Sequence, residues 1–476
     1  MDAFLGFLLK IWNFLCGLWA PLLWVGDKCV DIVGKGFAWL LVAILGLFPS
    51  VDFNRQDFKQ IPESVAFAPW YALSCVFRPQ AATAESEAVK AKLGGFVRGI
   101  CHSGSDYTRL LENNIEWERL DCPFPYERDG VTFTAGYLNF KQNLAARKAA
   151  GVKTLLVTPF PEHFINAGMD PRTPEGEQKV KETIVKLFLD LKDYIGGVQI
   201  ANEMGVPNFQ RPLNNQEAAR FLEVQLKALY PIKGNIPVGY NTAGPQFDIN
   251  ALMKPHLEYV DFYGLDIYLG CHYGLGDFNF VNGMWLFDLI TMLMWSYLGK
   301  PIILTEFGYL SAGEPKTQAQ KDALLLERYG YPNEAAMIAA AKADPEAFLT
   351  DMAGRNPSMA SFIRRFNEND LSRVWSFLTS LECVTHLYCE LPADYQIVGF
   401  PHSPQGEADF YRDVLPRFAK YPYVLGEFVY AWKDSDHCYL CGQSDCPSET
   451  GWGLVDRLGD PKPALEAVRE EFAKLK

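Results

Sequence analysis

The chain has 476 residues, enough for one large domain with a sizeable addition or for two or three ordinary domains. Hydrophobic residues make up 49% of it and aromatic residues 14%, so a substantial core can be buried, with rings to spare for stacking on flat ligand faces. The formal net charge of −13 argues against nucleic acid as a partner, because binding to phosphates is driven by cationic groups.

Residues 1–50 are far more apolar than the rest. The start, MDAF, lacks the cationic region of a secretory signal, and no small-residue cleavage site follows. Ala3–Val25 is long enough to span a bilayer, which takes about 20 apolar residues, whereas Phe37–Phe48 is too short. At helical spacing Asp2, Gly6, Lys10, Asn13, Gly17, Pro21, Lys28, Asp31 and Lys35 fall on one side, with Trp12, Trp19, Phe7 and Leu22 elsewhere around the wheel. A narrow polar stripe on a broad apolar surface rich in Trp and Lys predicts helices lying in a membrane interface, broken into two pieces at Pro21. A hydrophobic arm packed on the remaining protein and a true transmembrane span are the alternatives. Residues 51–94 read as a connector, Ala/Glu/Lys-rich in its second half and without a strong apolar stripe, with the domain boundary near Lys92.

From residue 95 onward short apolar β-rich runs alternate with amphipathic helical stretches, the pattern of βα units around a parallel sheet. The predicted strands are Phe96–Cys101, Ile115–Asp121, Lys153–Thr158, Gly197–Ala201, Ile236–Asn241, Val260–Asp266, Pro301–Thr305 and Val424–Tyr430. Helical patterns fill the gaps, among them Gln178–Tyr194, Gln216–Leu229 and Ala408–Lys420. Eight such units over residues 95–476 predict an α/β fold of the (β/α)₈ type, a TIM barrel with insertions. An open doubly wound sheet would carry a Gly-rich loop after its first strand, and GxGxxG is absent. A large insertion at 311–403 contains helical patterns at Gln318–Tyr329, Glu334–Ala343 and Met359–Asn367 and a strand-like piece at Val384–Cys389. It follows the seventh strand, where loops face the active site of a barrel, so it is the expected lid.

The fourth and seventh predicted strands run directly into a glutamate where the strand should stop. The fourth reads Gly-Val-Gln-Ile-Ala-Asn202-Glu203 and the seventh Ile-Ile-Leu-Thr-Glu306-Phe-Gly. A glutamate closing an apolar run costs free energy if buried without partners, so packing alone rarely asks for one. Two of them on opposite sides of a barrel mouth can serve as an acid and a nucleophile; a structural salt bridge at the rim is the bland reading of each.

Around these residues the chain resembles the catalytic barrel of clan A glycoside hydrolases, most of all glycoside hydrolase family 2, the group of β-galactosidases, β-glucuronidases and β-mannosidases. The similar segments are VRGICHS at 97–103, LLENNIEWERLD at 110–121, ANE at 201–203, GLDIYLG at 264–270, TEFG at 305–308 and FVYAWKDSD at 428–436. The resemblance implies Glu203 as acid/base, Glu306 as nucleophile and Asn202 as a contact to the sugar 2-hydroxyl. It also implies that Arg119 keeps the nucleophile ionised, that Tyr268 donates to it, and that Tyr430 or Trp432 stacks on the sugar. His102, after the first strand, is a weaker subsite candidate, with a packing role as the alternative. Departures are plain: residues 1–94 do not supply the β-sandwich domains that precede the family 2 barrel. Cys122 and Pro123 stand where that family often has histidine. The Asn-x-Lys pair that reads a uronic acid carboxylate is not evident before GWGLVDR, which disfavours a glucuronidase.

Eleven cysteines, an odd number, rule out a complete disulfide framework, and Cys101, Cys122 and Cys271 lie in or beside apolar runs. Every Asn-x-Ser/Thr sequon contains proline, and both features favour a reducing compartment. Cys438-x₂-Cys441 followed by Cys446, with His437 adjacent, suggests a structural zinc clip completed by a ligand from elsewhere. A disulfide or free thiols are the alternative, and a carboxylate pair needs no cofactor for its chemistry. The expectation is a membrane-associated retaining β-glycosidase with its barrel on the cytoplasmic side, acting on a glycolipid or surface glycan. A transglycosidase using the same intermediate and a non-catalytic, membrane-tethered glycan-binding protein are the rival readings.

Overall fold

The computed structural model describes residues 83–272, 283–357 and 381–475. The expected interfacial helices in residues 1–50, and most of the connector, lie outside the described residues. Among the described residues no helix is long and apolar enough to cross a membrane.

Eight strands form the barrel: β1 Val97–Cys101, β2 Trp117–Asp121, β3 Lys153–Val157, β4 Gly197–Ile200, β5 Val238–Ala243, β6 Phe262–Ile267, β7 Ile302–Phe307 and β8 Val424–Val429. Every neighbouring pair is parallel and β8 closes on β1, giving a TIM barrel. All eight predicted strands are present, most with boundaries one or two residues inside or beyond the predicted ones. The strands are buried on both faces, which is why they read as nearly continuous apolar runs. Inside, Val97, Trp117, Leu155, Phe262, Ile303, Leu425 and Phe428 fill the lower barrel, and Gly99 makes room for the Phe428 ring: a Cβ there would sit 2.2 Å from it. On the outside of β2, Glu118 is fully buried and takes charge-assisted bonds from Arg147 at 2.6 Å and from Ser103 Oγ at 2.6 Å.

The segment before β1 is more than a connector. Ala84–Leu93 is a helix, capped by Thr83 Oγ1 accepting from Ser86 N–H and ended by Gly94 in the left-handed region at φ 82°. Val89 and Leu93 are buried against the N-terminal ends of the strands, so this helix plugs the bottom of the barrel. Only Ser86, Val89 and Leu93 are buried along it, too few to print an apolar stripe on the sequence. Leu93→Ala is expected to destabilise the fold by about 2–5 kcal/mol, the usual cost of such a truncation in a core. Urea unfolding measures it; a loss below about 1 kcal/mol would mean the helix is a dispensable attachment.

The insertion after β7 is helical, with Gln318–Tyr329 and Glu334–Ala343 as predicted and a third helix, Pro345–Arg355, started by Asp344 as N-cap and Pro345. The pattern at Met359–Asn367 lies outside the described residues. The strand expected at Val384–Cys389 is instead a helix, Leu381–Tyr388. Val384 and Thr385 are β-branched, but Val384, Leu387 and Tyr388 recur at helical spacing, and that packing overrides β propensity. These helices share a second hydrophobic cluster, with Leu325, Tyr329, Met337, Phe348, Met352 and Leu387 at its centre.

Candidate active site

The C-terminal ends of β2, β4, β5, β6 and β7 converge on one buried polar centre. At the end of β4 the chain leaves regular geometry: Ala201 and Glu203 have φ of 52° and 44°, a left-handed conformation that costs a non-glycine residue on the order of 1–3 kcal/mol. Neighbouring strands hold it. Thr158 Oγ1 accepts from Ala201 N–H at 2.9 Å, and Asn241 Oδ1 on β5 accepts from Glu203 N–H at 2.8 Å. The turn so fixed brings Asn202 and Glu203 into the mouth.

On β7 an irregularity does the corresponding work. Leu265 pairs with Leu304 but Asp266 with Glu306, so β7 carries an extra residue at Thr305. Strict alternation would send Thr305 and Glu306 to opposite faces; the bulge lets both reach the centre. Thr305 Oγ1 donates to Asp266 Oδ1 at 2.5 Å, and Tyr268 OH donates to Glu306 Oε2 at 2.5 Å.

Arg119 is the hub. Its guanidinium is buried and donates to Glu306 Oε1, to Asn202 Oδ1 and, at 3.0 Å, to Gln199 Oε1. Burial is the largest influence and opposes its charge, but Glu306, with Cys101, Asp266 and Asp121 behind it, more than offsets that. Asn241 Nδ2 donates to Asn202 Oδ1 at 2.9 Å and to Asp266 Oδ2 at 2.6 Å. One carboxylate oxygen from each of Glu203, Glu306 and Asp266 lies within 4.8 Å of the others. Three carboxyls share one cation, and that cation is given to Glu306. Glu203 is accordingly pushed up to about 8, first by burial and then by the Glu306 charge. Asp266 is raised well above its ordinary range by burial and by the same two neighbours. The centre therefore pairs Glu306 with the buried guanidinium and sets beside it a carboxyl, Glu203, that retains its proton near neutrality, the division of labour that acid–nucleophile chemistry requires.

Glu203, Glu306, Asn202, Arg119 and Tyr268 are thus brought together. Asp266, Asn241 and Thr305 belong to the same network and were not singled out from the sequence; a charged residue inside the apolar run Tyr-Gly-Leu-Asp266-Ile was the available signal. The two aromatic candidates part company. Tyr430 is half-buried, edge-on to Tyr268 at 6.0 Å and to His102 at 5.6 Å, so it borders the centre together with the exposed His102. Trp432 is fully buried, its indole N–H donates to Asp106 at 3.0 Å and Arg109 lies 5.4 Å above its ring. It therefore fastens the loop after β1 and offers no face to a ligand, which removes it as the stacking ring. Trp452 backs the rim instead, 5.2 Å from Tyr268 and 5.7 Å from Tyr430.

Cys438, Cys441 and Cys446 come together, all buried, in the second hydrophobic cluster. The adjacent His437 is exposed, while His386 from the insertion joins the thiols.

No family model and no curated protein matches the sequence. Among solved structures the chain is similar to Faecalibacterium prausnitzii β-glucuronidase, with 13% identity and a TM-score of 0.44 over 80% of this chain and 49% of that one. Bifidobacterium dentium β-glucuronidase in complex with coumarin-3-O-glucuronide gives 14% identity and a TM-score of 0.44 over 80% and 46%. The Ignisphaera aggregans GH53 catalytic domain gives 18% and 0.43 over 82% and 94%. The chain thus spans about half the length of the two glucuronidases. The barrel is established by its own strand pairing, and the chemistry of the site stands on the hydrogen bonds and charges within it.

Proposed function

We propose that the protein is a retaining β-glycosidase in which Glu203 is the acid/base and Glu306 the nucleophile. The observation that carries the reading is the unequal treatment of two close carboxyls: Glu306 is bonded by Arg119 and Tyr268, while Glu203, within 4.8 Å, makes no salt bridge among the described residues and is pushed up to about 8, first by burial and then by the Glu306 charge. Retaining enzymes hold their carboxyls about 5–5.5 Å apart, and inverting ones leave a wider gap for water. In the first step Glu306 attacks the anomeric carbon as Glu203 protonates the departing glycosidic oxygen, leaving a glycosyl ester on Glu306. In the second, Glu203 takes a proton from water, the hydroxyl attacks the same carbon and Glu306 leaves. In this reading Asn202, held by Arg119 and Asn241, contacts the sugar 2-hydroxyl, and Tyr430 and His102 line the subsite.

Trapping with a panel of 2-deoxy-2-fluoro-β-glycosides, read by intact mass and peptide mapping, tests this directly. One adduct per chain on Glu306 is the expected result; an adduct on another residue, or inverted product from a turned-over substrate, would sink it. The same intermediate can pass to a sugar acceptor, so a transglycosidase is distinguished by product analysis with added acceptor. A non-catalytic glycan-binding protein has no use for a protonated carboxyl beside one paired with a buried arginine, which places that reading last.

The electrostatics carry a pH prediction. Part of the upward shift of Glu203 comes from the Glu306 charge, so Glu306→Gln should lower the Glu203 value towards the ordinary carboxyl range. Esterification of Glu306 by the sugar removes the same charge, which turns Glu203 from acid into base between the two steps. A ¹³C-glutamate NMR titration of the variant is the check; an unchanged Glu203 value would assign the shift to burial alone.

The setting belongs to the same proposal. Residues 1–50 attach the barrel to a membrane surface on its cytoplasmic side, where a glycolipid or surface glycan is the substrate. Support comes from the narrow polar stripe on the broad apolar surface of those residues and from the described cysteines, none of which is in a disulfide. Liposome flotation of the full chain against a chain lacking residues 1–50 tests it, and equal flotation of the two would end it.

A further inference from the structure

The second hydrophobic cluster contains groups that apolar packing does not require. His386 Nδ1 lies 3.5 Å from Cys446 Sγ and 3.8 Å from Cys438 Sγ. Together with Cys441 Sγ, these donor atoms all fall within 4.8 Å of one another, and all four residues are buried. None of the thiols is oxidised to a disulfide. A tetrahedral zinc ion with Zn–S of about 2.3 Å and Zn–N of about 2.0–2.1 Å separates its donors by about 3.5–3.8 Å, the spacing found between His386 and the two thiols. The backbone is shaped to match. Gly442 N–H donates to Cys438 O at 2.8 Å with Gly442 in the left-handed region at φ 75°, a tight turn that brings Cys438 and Cys441 together.

We propose that His386, Cys438, Cys441 and Cys446 bind one structural Zn²⁺, which staples the insertion after β7 to the loop after β8. The inference is independent of the glycosidase reading. Cys389 is the fifth donor nearby, its thiol beside Cys441 and Cys446. It is left outside the set because zinc in structural sites takes four ligands and the four donors that all lie within 4.8 Å of one another are those of His386, Cys438, Cys441 and Cys446; Arg328 Nη1 lies 2.9 Å from the Cys389 sulfur. Three thiolates and a neutral imidazole leave the centre with a single net negative charge, which the Arg328 guanidinium faces through Cys389. The staple has a direct line to the candidate active site. Cys446 is the N-cap of the short helix Pro447–Thr450; Tyr430 OH meets Glu449 Oε2 at 3.3 Å, and Trp452 Nε1 donates to Ser448 O at 2.6 Å. The ion thereby fixes the segment against which the aromatic rim rests. It takes no part in bond cleavage.

The test is metal analysis of the full chain, purified in detergent under reducing conditions without chelator. One zinc per chain is expected by elemental mass spectrometry. Replacement by Co²⁺ should give visible absorption of a tetrahedral site together with thiolate-to-metal charge transfer. His386→Ala is expected to weaken zinc binding by about 100-fold or more, since even changes outside the ligand shell cost about 10–100-fold. Cys389→Ser should retain a full equivalent. Should His386→Ala fail to fold, the stoichiometry and cobalt spectrum of the unaltered protein still decide the matter. The proposal is overturned if the folded chain holds neither zinc nor cobalt, if its mass reveals a disulfide among Cys438, Cys441 and Cys446, or if Cys389→Ser loses the metal while His386→Ala keeps it.

Discussion

Glu203→Ala and Glu306→Gly are expected to fail in opposite ways, and azide tells them apart. Removing the nucleophile should lower kcat by on the order of 10⁴–10⁶, the scale seen when a covalent catalyst loses its attacking group. In Glu306→Gly the loss of the side chain leaves room on the far side of the anomeric carbon, and Glu203 can still protonate the leaving group. Azide entering there should restore turnover and give a glycosyl azide of inverted configuration. Glu203→Ala retains the nucleophile. Aryl glycosides with good leaving groups need little protonation, so the first step should survive, while the second, now without a base, should become rate-limiting and accumulate the ester on Glu306. Azide attacks that ester without needing a base, and its product should retain the substrate configuration. Product stereochemistry by NMR is the measurement. Retained azide from Glu306→Gly and inverted azide from Glu203→Ala would exchange the two roles, and rescue of neither would remove the double-displacement mechanism.

The barrel and its two principal carboxyls were legible in the sequence for one physical reason. Parallel strands buried on both faces leave long apolar runs, and a charged residue closing such a run has no packing justification. Glu203 and Glu306 advertise themselves in this way. Asp266 and Asn241 close predicted strands as well, but nothing local says that those strands deliver them to the same centre as Glu203 and Glu306. The choice between Tyr430 and Trp432 was likewise closed to sequence reading. The two lie two residues apart, one at the rim and one buried against Asp106, and tertiary packing decides which is which. His386 is separated from Cys438 by 52 positions, and only the path of the insertion puts it beside the thiols instead of the adjacent His437. Local spacing exposes ligands close in sequence and hides those the fold delivers from a distance.

Arg119→Met should produce the largest stability loss of any single change at the site. Arg119 is almost wholly inaccessible, and its guanidinium is the cation set against Glu306 among the three clustered carboxyls. Removing one member of a buried ion pair leaves the other uncompensated, a loss of about 3–5 kcal/mol, and here Asn202 and Gln199 lose a donor as well. Methionine fills much of the volume, so the loss reports charge and hydrogen bonding more than a cavity. Activity should fall too, by about 10²-fold or more, because Glu306 and Asn202 are both aimed by this side chain. Adding Glu306→Gln to Arg119→Met removes the stranded charge. The double variant should therefore be more stable than Arg119→Met alone even though a further native group has gone, and urea unfolding of the full cycle gives the coupling energy. Strictly additive losses would show that Arg119 stabilises the barrel through packing, and its role as the counter-charge of the nucleophile would have to be abandoned.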